Sequence, residues 1–267
     1  VARLILHIGL EKTGTKALQT FLAKNRTALR LMGVRYPRCE TADGQKLPYH
    51  RDLGEALLAN SAGGETQAVI DAYAEKAAAA SLTILSSELL SAPRADIPAR
   101  LAPLAARFDV TVIVYLRRQD EWALSAYREA VLNPATAEAR PINDWLSDPD
   151  TRARLDYDWI LRHWEQAFGA DALRVRLYPH HLPLIPDFIA TAGLPGPVAM
   201  LPEGGRRVNE TPSEDDVMEA LRGNGGVAEA PSLSQPARDR LLASVEAGNG
   251  RLRAQYFPEK KTLFGVS

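Results

Sequence analysis

Short apolar runs alternate with longer stretches of helical periodicity along most of the chain. Residues 4–8, 82–86, 110–115 and 173–177 are brief and rich in Leu, Ile and Val, the pattern of strands buried inside a sheet. Residues 34–36 form a weaker fifth run. Over residues 16–32, Leu18, Leu22, Leu29 and Met32 recur at helical spacing, and Gly33 supplies a stop. Further helices are predicted over 67–80, an alanine-rich stretch, and over 96–108, 120–132 and 157–168. Strands separated by helices build βαβ units. The predicted class is therefore α/β, with a parallel sheet of about five strands and ligands at the carboxyl ends of those strands. Residues 195–205, rich in Pro and Gly, read as a loop, as do 59–64 and 223–230. Two polar helices follow at 213–222 and 234–256 and read as a C-terminal lid, from about residue 206, on a single domain spanning residues 1–267. Residues 37–48 are polar and irregular, and loops of that length in compact α/β domains are commonly functional.

The first strand runs straight into His-Ile-Gly-Leu-Glu-Lys-Thr-Gly-Thr-Lys, residues 7–16, and then into a helix. A strand, a Gly/Thr/Lys loop and a helix start together make an anion cradle, because backbone N–H groups and the positive helix end converge there. Gly9 and Gly14 allow close approach, Lys12 adds a full charge, and the Thr13 and Thr15 hydroxyls can donate to the same group. A tight strand-to-helix turn with a solvated lysine is the bland alternative. The nucleotide-binding Walker loop has the glycine spacing seen here but ends Gly-Lys-Ser/Thr. In this chain Thr15 and Lys16 stand in the reverse order, and Lys12 lies inside the loop.

That Lys-Thr-Gly-Thr form resembles the 5′-phosphosulfate loop of sulfotransferases that use 3′-phosphoadenosine 5′-phosphosulfate (PAPS). A second segment strengthens the resemblance: the strand at 110–115 leads into Arg117, and Ser125 follows eight residues later on a helix. In that family an arginine and a serine at this spacing hold the nucleotide 3′-phosphate, a role suited to guanidinium geometry. Arg118 stands next to Arg117 and can share the role. The family's usual Asn-Pro after the arginine is Arg118-Gln119 here. Residues 82–90, 155–164 and 173–178 are similar to the later core elements of bacterial carbohydrate-type members, and residues 206–213 to their C-terminal nucleotide-contacting segment, where Arg206 or Arg207 would add a phosphate contact. The resemblance implies a three-layer α/β/α fold of the P-loop NTPase-like kind, PAPS as cosubstrate with PAP released, no metal requirement, and a hydroxyl or amine acceptor of carbohydrate, glycolipid or small-molecule type.

An attacking alcohol must lose its proton, and the family uses His or Glu as the base. Glu88, at the end of the strand at 82–86, and His50, after the 37–48 loop, are the two main candidates; Glu40 and Glu11 are weaker. Glu88 also suits a helix start and His50 a helix N-terminus. His7, within the first strand, reads as a core histidine. His180, His181 and Asp187 lack a further ligand cluster, so no metal site is expected. Trp122, Trp145, Trp159 and Trp164 read as packing residues.

Composition adds bounds. Net charge is −1, hydrophobic residues make up 46% and charged residues 24%, which gives no basic field for nucleic acid. The single cysteine, Cys39, excludes an intrachain disulfide. No apolar run reaches the roughly 20 residues of a membrane span, and the first strand leaves no room for a signal peptide, so the expected location is cytoplasmic. Oligomeric state is not legible, and a homodimer is compatible with the sequence. Two other readings stand beside the transferase: a P-loop kinase or NTPase, which requires Mg²⁺ and ATP, and a PAP-binding module without catalysis.

Overall fold

The computed structural model describes residues 1–40, 44–59, 64–178, 183–203, 212–227 and 231–265. Among the described residues the strands are β1 (Arg3–His7), β2 (Val34–Arg35), β3 (Cys39–Glu40), β4 (Lys46–Leu47), β5 (Leu82–Ser86), β6 (Asp109–Leu116) and β7 (Leu173–Leu177). The helices are α1 (Thr15–Lys24), α2 (Arg26–Leu31), α3 (Arg51–Leu58), α4 (Glu65–Ala78), α5 (Asp96–Leu101), α6 (Gln119–Leu132), α7 (Ile142–Ser147), α8 (Pro149–Leu155), α9 (Tyr157–Phe168), α10 (Leu184–Thr191), α11 (Glu214–Gly223) and α12 (Gln235–Tyr256).

Five strands form a parallel sheet in the order β2-β5-β1-β6-β7. Side chains alternate across a strand. Ile5, Ile84, Ile113 and Tyr115 accordingly meet Leu18, Phe21 and Leu22 of α1 and Phe188 of α10 on one face. Leu4, Leu6, Leu85, Val112 and Val114, at the alternate positions, are equally buried. A parallel sheet is covered on both faces, and the predicted α/β class holds. The central strand β1 has β5 on one side and β6 on the other. The chain fills one half of the sheet and then the other, so the carboxyl end of β1 is the switch point where such sheets form a crevice.

Two compact units divide the chain: Val1–Leu116 with Ile160–Val208, and Arg117–Trp159 with Asn209–Ser267. The first holds the sheet. The second has its own core, in which Trp122 and Trp145 stack at 6.3 Å and Ala126, Leu155, Val217 and Leu221 pack around them. The C-terminal helices α11 and α12 thus share a core with residues 117–159. Polar links bind α12 within this unit: Gln119 and Asn249 exchange two hydrogen bonds of 2.8 and 3.2 Å, and Arg251 pairs with Asp158. Trp122, Trp145 and Trp164 are buried, as expected of packing residues, whereas Trp159 is 38% exposed.

Several predicted elements differ in detail. The helix predicted over 16–32 breaks at Asn25, whose amide donates to Phe21 O (2.9 Å) and Pro202 O (3.0 Å) and diverts the chain. The helix over 96–108 becomes α5 and a 3₁₀ turn, Ala102–Ala106, because Pro103 has no N–H for the α ladder. The irregular stretch 37–48 contains the short antiparallel pair β3 and β4.

Candidate functional site

The loop that leaves β1 is shaped by its own residues. Its first N–H, that of Ile8, still bonds to Ile113 O at 3.0 Å, and the chain then turns away. At Gly9 any Cβ would come within 2.5 Å of Thr15 Oγ1 and 2.9 Å of His7 Cε1, so no side chain fits. Gly14 has φ 75° and a Cβ there would meet Leu184 at 2.7 Å. Lys12 is also left-handed, with φ 63°, at a cost of roughly 1–2 kcal/mol for a residue with a Cβ. Strain of this kind gathers at ligand-binding turns. Helix α1 begins with Gly14 as N-cap, without a side-chain cap or an acidic residue in its first turn. Among the described residues the N–H groups of Gly14, Thr15 and Lys16 donate to no partner, which leaves free donors at the positive end of the helix.

The threonines differ from expectation. Thr13 Oγ donates to Leu10 O at 2.6 Å and Thr15 Oγ to the same carbonyl at 3.2 Å, with 3.3 Å between the two hydroxyls. Both side chains are buried, so their protons brace the loop. The donors left over at the turn are the N–H groups of Gly14, Thr15 and Lys16. Lys16 is exposed on the first turn of α1.

Beneath the loop lies a closed polar network. His7 and Ser86 are paired across β1 and β5, and His7 Nδ1 meets Ser86 Oγ at 2.8 Å. Gln19 of α1 donates to the same oxygen at 3.1 Å. His7 packs edge-on against Phe188, and burial lowers its pKa to about 3. It is the satisfied core histidine that the sequence implies.

His50 is wholly buried and both ring nitrogens are engaged: Nδ1 accepts from Ser86 N–H at 2.9 Å, and Nε2 donates to Pro37 O at 3.1 Å. Tyr36 and Tyr73 flank it edge-on, and burial lowers its pKa to about 4. The ring pins the 37–48 segment to the end of β5. Arg26 adds to that anchor by donating to the carbonyls of Tyr36, Pro37 and Leu47.

Both histidines are neutral in the fold and protonate near pH 6.5 when unfolded. Their lowered pKa values mean that the unfolded chain binds more protons between pH 6.5 and about 4. The stability they contribute is therefore complete above pH 6.5 and is lost as pH falls through that window. Each costs about 2 kcal/mol at pH 5. Urea unfolding at pH 7 and pH 5 should show this loss, and His50→Gln should make the pH dependence shallower. An equal slope in both proteins contradicts the assignment.

Glu88 opens a 3₁₀ turn, Glu88–Ser91, directly after β5 and is half-buried. Ser87 N donates to His7 O at 3.2 Å, and Ser91 Oγ reaches Glu88 O at 2.8 Å and Gly9 O at 3.4 Å. The Glu88 turn and the loop are thus fastened to one frame at the ends of adjacent strands.

In the second unit, Arg117 follows directly on β6. Its Nε lies 3.5 Å from Glu121 Oε2, and its carbonyl accepts from Tyr157 OH at 3.0 Å. Arg118, which sequence alone allows as a partner or substitute, is committed elsewhere: its guanidinium forks onto buried Asp120 at 2.7 and 3.0 Å, and Asp120 also faces Arg238 at 3.4 Å. Ser125 is half-buried on α6 and its hydroxyl makes no hydrogen bond among the described residues. Arg206, Arg207, His180 and His181 lie outside the described residues. Among the described residues no three His, Cys, Asp or Glu side chains group as a metal site, and no helix is long and apolar enough to cross a membrane. Sequence reasoning missed Ser86 and Gln19 as the brace under the loop; a serine at a strand end beside a buried histidine was the available signal.

A five-stranded parallel sheet flanked by helices, with a glycine-lysine loop at its switch point, defines an α/β fold of the sulfotransferase-like kind. A crystal structure described as a sulfotransferase from Alicyclobacillus acidocaldarius is similar to this chain, with a TM-score of 0.52, 17% sequence identity and 96% of each chain covered. At that identity the likeness speaks for the fold. No protein-family model matches the chain, and no curated protein does.

Proposed function

We propose that this protein is a PAPS-dependent sulfotransferase that moves the sulfuryl group of PAPS to a hydroxyl or amine acceptor and releases PAP. The observation that carries the reading is the loop: Lys12 and Gly14 left-handed, three N–H donors at the start of α1 without partners among the described residues, and no Walker lysine in its usual place. The loop amides and Lys12 take the 5′-phosphosulfate, with Gly9 and Gly14 giving it room and Thr13, Thr15 and Lys16 completing the turn. Arg117 and Ser125 take the 3′-phosphate. Arg206 and Arg207 are proposed as further phosphate contacts.

The acceptor attacks sulfur in line, opposite the leaving 5′-phosphate. The sulfur–oxygen bond to the acceptor forms as the bond to the phosphate oxygen breaks. Lys12 and the amides stabilise charge gathering on the leaving phosphate, the kind of fixed electrostatic help that costs no reorganisation. Glu88 takes the acceptor proton. His50 is less suited to that task, since both of its nitrogens already serve the backbone. A carbohydrate or glycolipid hydroxyl is the proposed acceptor class.

Label transfer from ³⁵S-PAPS to a panel of carbohydrate and small hydroxyl acceptors tests the reading; label that stays in PAPS throughout while PAP binds makes the chain a binding module. Arg117→Ala should weaken PAP binding about ten-fold or more, given roughly 1.5–3 kcal/mol for a charged hydrogen bond. Calorimetry measures this, and unchanged affinity removes Arg117 from the site.

A further inference from the structure

Among the described residues the Arg128 guanidinium makes no hydrogen bond. It stands on α6 three residues after Ser125, and its side chain is only 21% exposed. Its Nε is buried without a partner. Its one ion-pair contact among the described residues is Nη2 to Glu214 Oε1 at 3.8 Å, with Glu214 itself 63% exposed, a separation beyond hydrogen-bond reach. Arg118 forks onto Asp120 and Arg140 onto Glu138, and Arg238, whose Nε is likewise buried without a hydrogen bond, still lies 3.4 Å from Asp120. A buried Nε–H left unmatched is costly, and a ligand oxygen removes that cost.

Helical geometry aims Arg128 at Ser125. At about 100° per residue, positions 121, 125 and 128 fall within about 60° of one another. Long helical side chains lie back over the turn N-terminal to their own Cα, so Arg128 covers the turn that carries Ser125. Arg117 reaches forward along the same stripe to Glu121, whose carboxylate is also 3.7 Å from Arg118 and is thereby offset by two cations. Ser125 thus shares one stripe of α6 with Arg128 and with Glu121, the residue that Arg117 reaches.

We infer that Arg128 is a second guanidinium ligand for the phosphate monoester held by Arg117 and Ser125, and that it makes the site select a nucleotide with a 3′-phosphate over one without. This rests on the proposed donor site. Two planar forks and a hydroxyl match the three oxygens of a dianionic monoester. The competing role is purely structural, a counter-charge to the acidic first turn of α11, Glu214, Asp215 and Asp216.

Calorimetry with PAP and with AMP, which lacks the 3′-phosphate, separates these. Arg128→Gln should lose at least ten-fold in PAP affinity with AMP affinity unchanged, Arg128→Lys should lose less, and Glu214→Gln should bind PAP as tightly as the parent or more tightly. The melting temperature of each variant without ligand reports on folding. PAP affinity unchanged in a folded Arg128→Gln, or weakened in Glu214→Gln, overturns the inference. A parent protein that does not prefer PAP to AMP overturns the donor-site reading and this inference together, whereas loss in Arg117→Ala alone removes only Arg128.

Discussion

Lys12→Ala should lower the rate of sulfuryl transfer by about two to three orders of magnitude, the scale of losing one preorganised charge donor at a developing anion, with little change in folding. Lys12 adopts φ 63° at the crest of the loop. Removing its amine deletes the full charge but keeps the backbone that Thr13, Thr15 and Leu10 hold in place. Lys12→Gly sharpens the test. Glycine accepts the left-handed conformation without strain, so this variant should be as stable as the parent, or more so, while transferring sulfuryl no better than Lys12→Ala. Single-turnover rates with saturating PAPS, read beside melting temperatures, distinguish a chemical loss from a structural one. A Lys12→Gly protein that retains its rate removes the lysine from the chemistry.

Glu88→Gln should lower transfer by about 10²–10⁴, the usual worth of a positioned general base, while PAP affinity stays unchanged. Glutamine preserves the shape of the 3₁₀ turn and the Ser91 bonds to Glu88 O and Gly9 O, so the frame survives the change. The limb of the pH–rate profile that rises with deprotonation of the base should vanish with it. In contrast, His50→Gln should transfer at a rate close to the parent once folded, because the buried ring serves Ser86 and Pro37. If Glu88→Gln keeps the parent rate and His50→Gln loses it, the assignment of the base is reversed.

The sheet was legible because its strands carry their own signal. The runs at 82–86 and 173–177 are β5 and β7 as they stand, and the helix at 157–168 is α9. β5 is buried throughout, and the apolar positions Leu173 and Val175 of β7 and Ile160, Leu161 and Trp164 of α9 are buried as well. The pair β3 and β4 was not legible, since strands of two residues show no alternation. The division into units was also hidden: Arg117–Trp159 shares a core with a segment that begins near residue 209, and no local pattern announces a partnership of such sequence separation. Within the site, the tight turn between β1 and α1 could be read from residue types, but the use of each hydroxyl could not. Thr13 and Thr15 turn inward to Leu10 because the tight turn leaves that carbonyl without a backbone donor of good geometry. Arg117 and Arg118 look alike in sequence, and only the fork onto Asp120 separates them.

Calorimetric titration of the protein with PAP, and with ATP in the presence of Mg²⁺, bears most directly on the central claim. The account predicts that PAP binds at least ten-fold more tightly than ATP with Mg²⁺ and needs no metal to do so. Preference for ATP with Mg²⁺, lost when the metal is chelated, would contradict it and make the loop that of a kinase or NTPase.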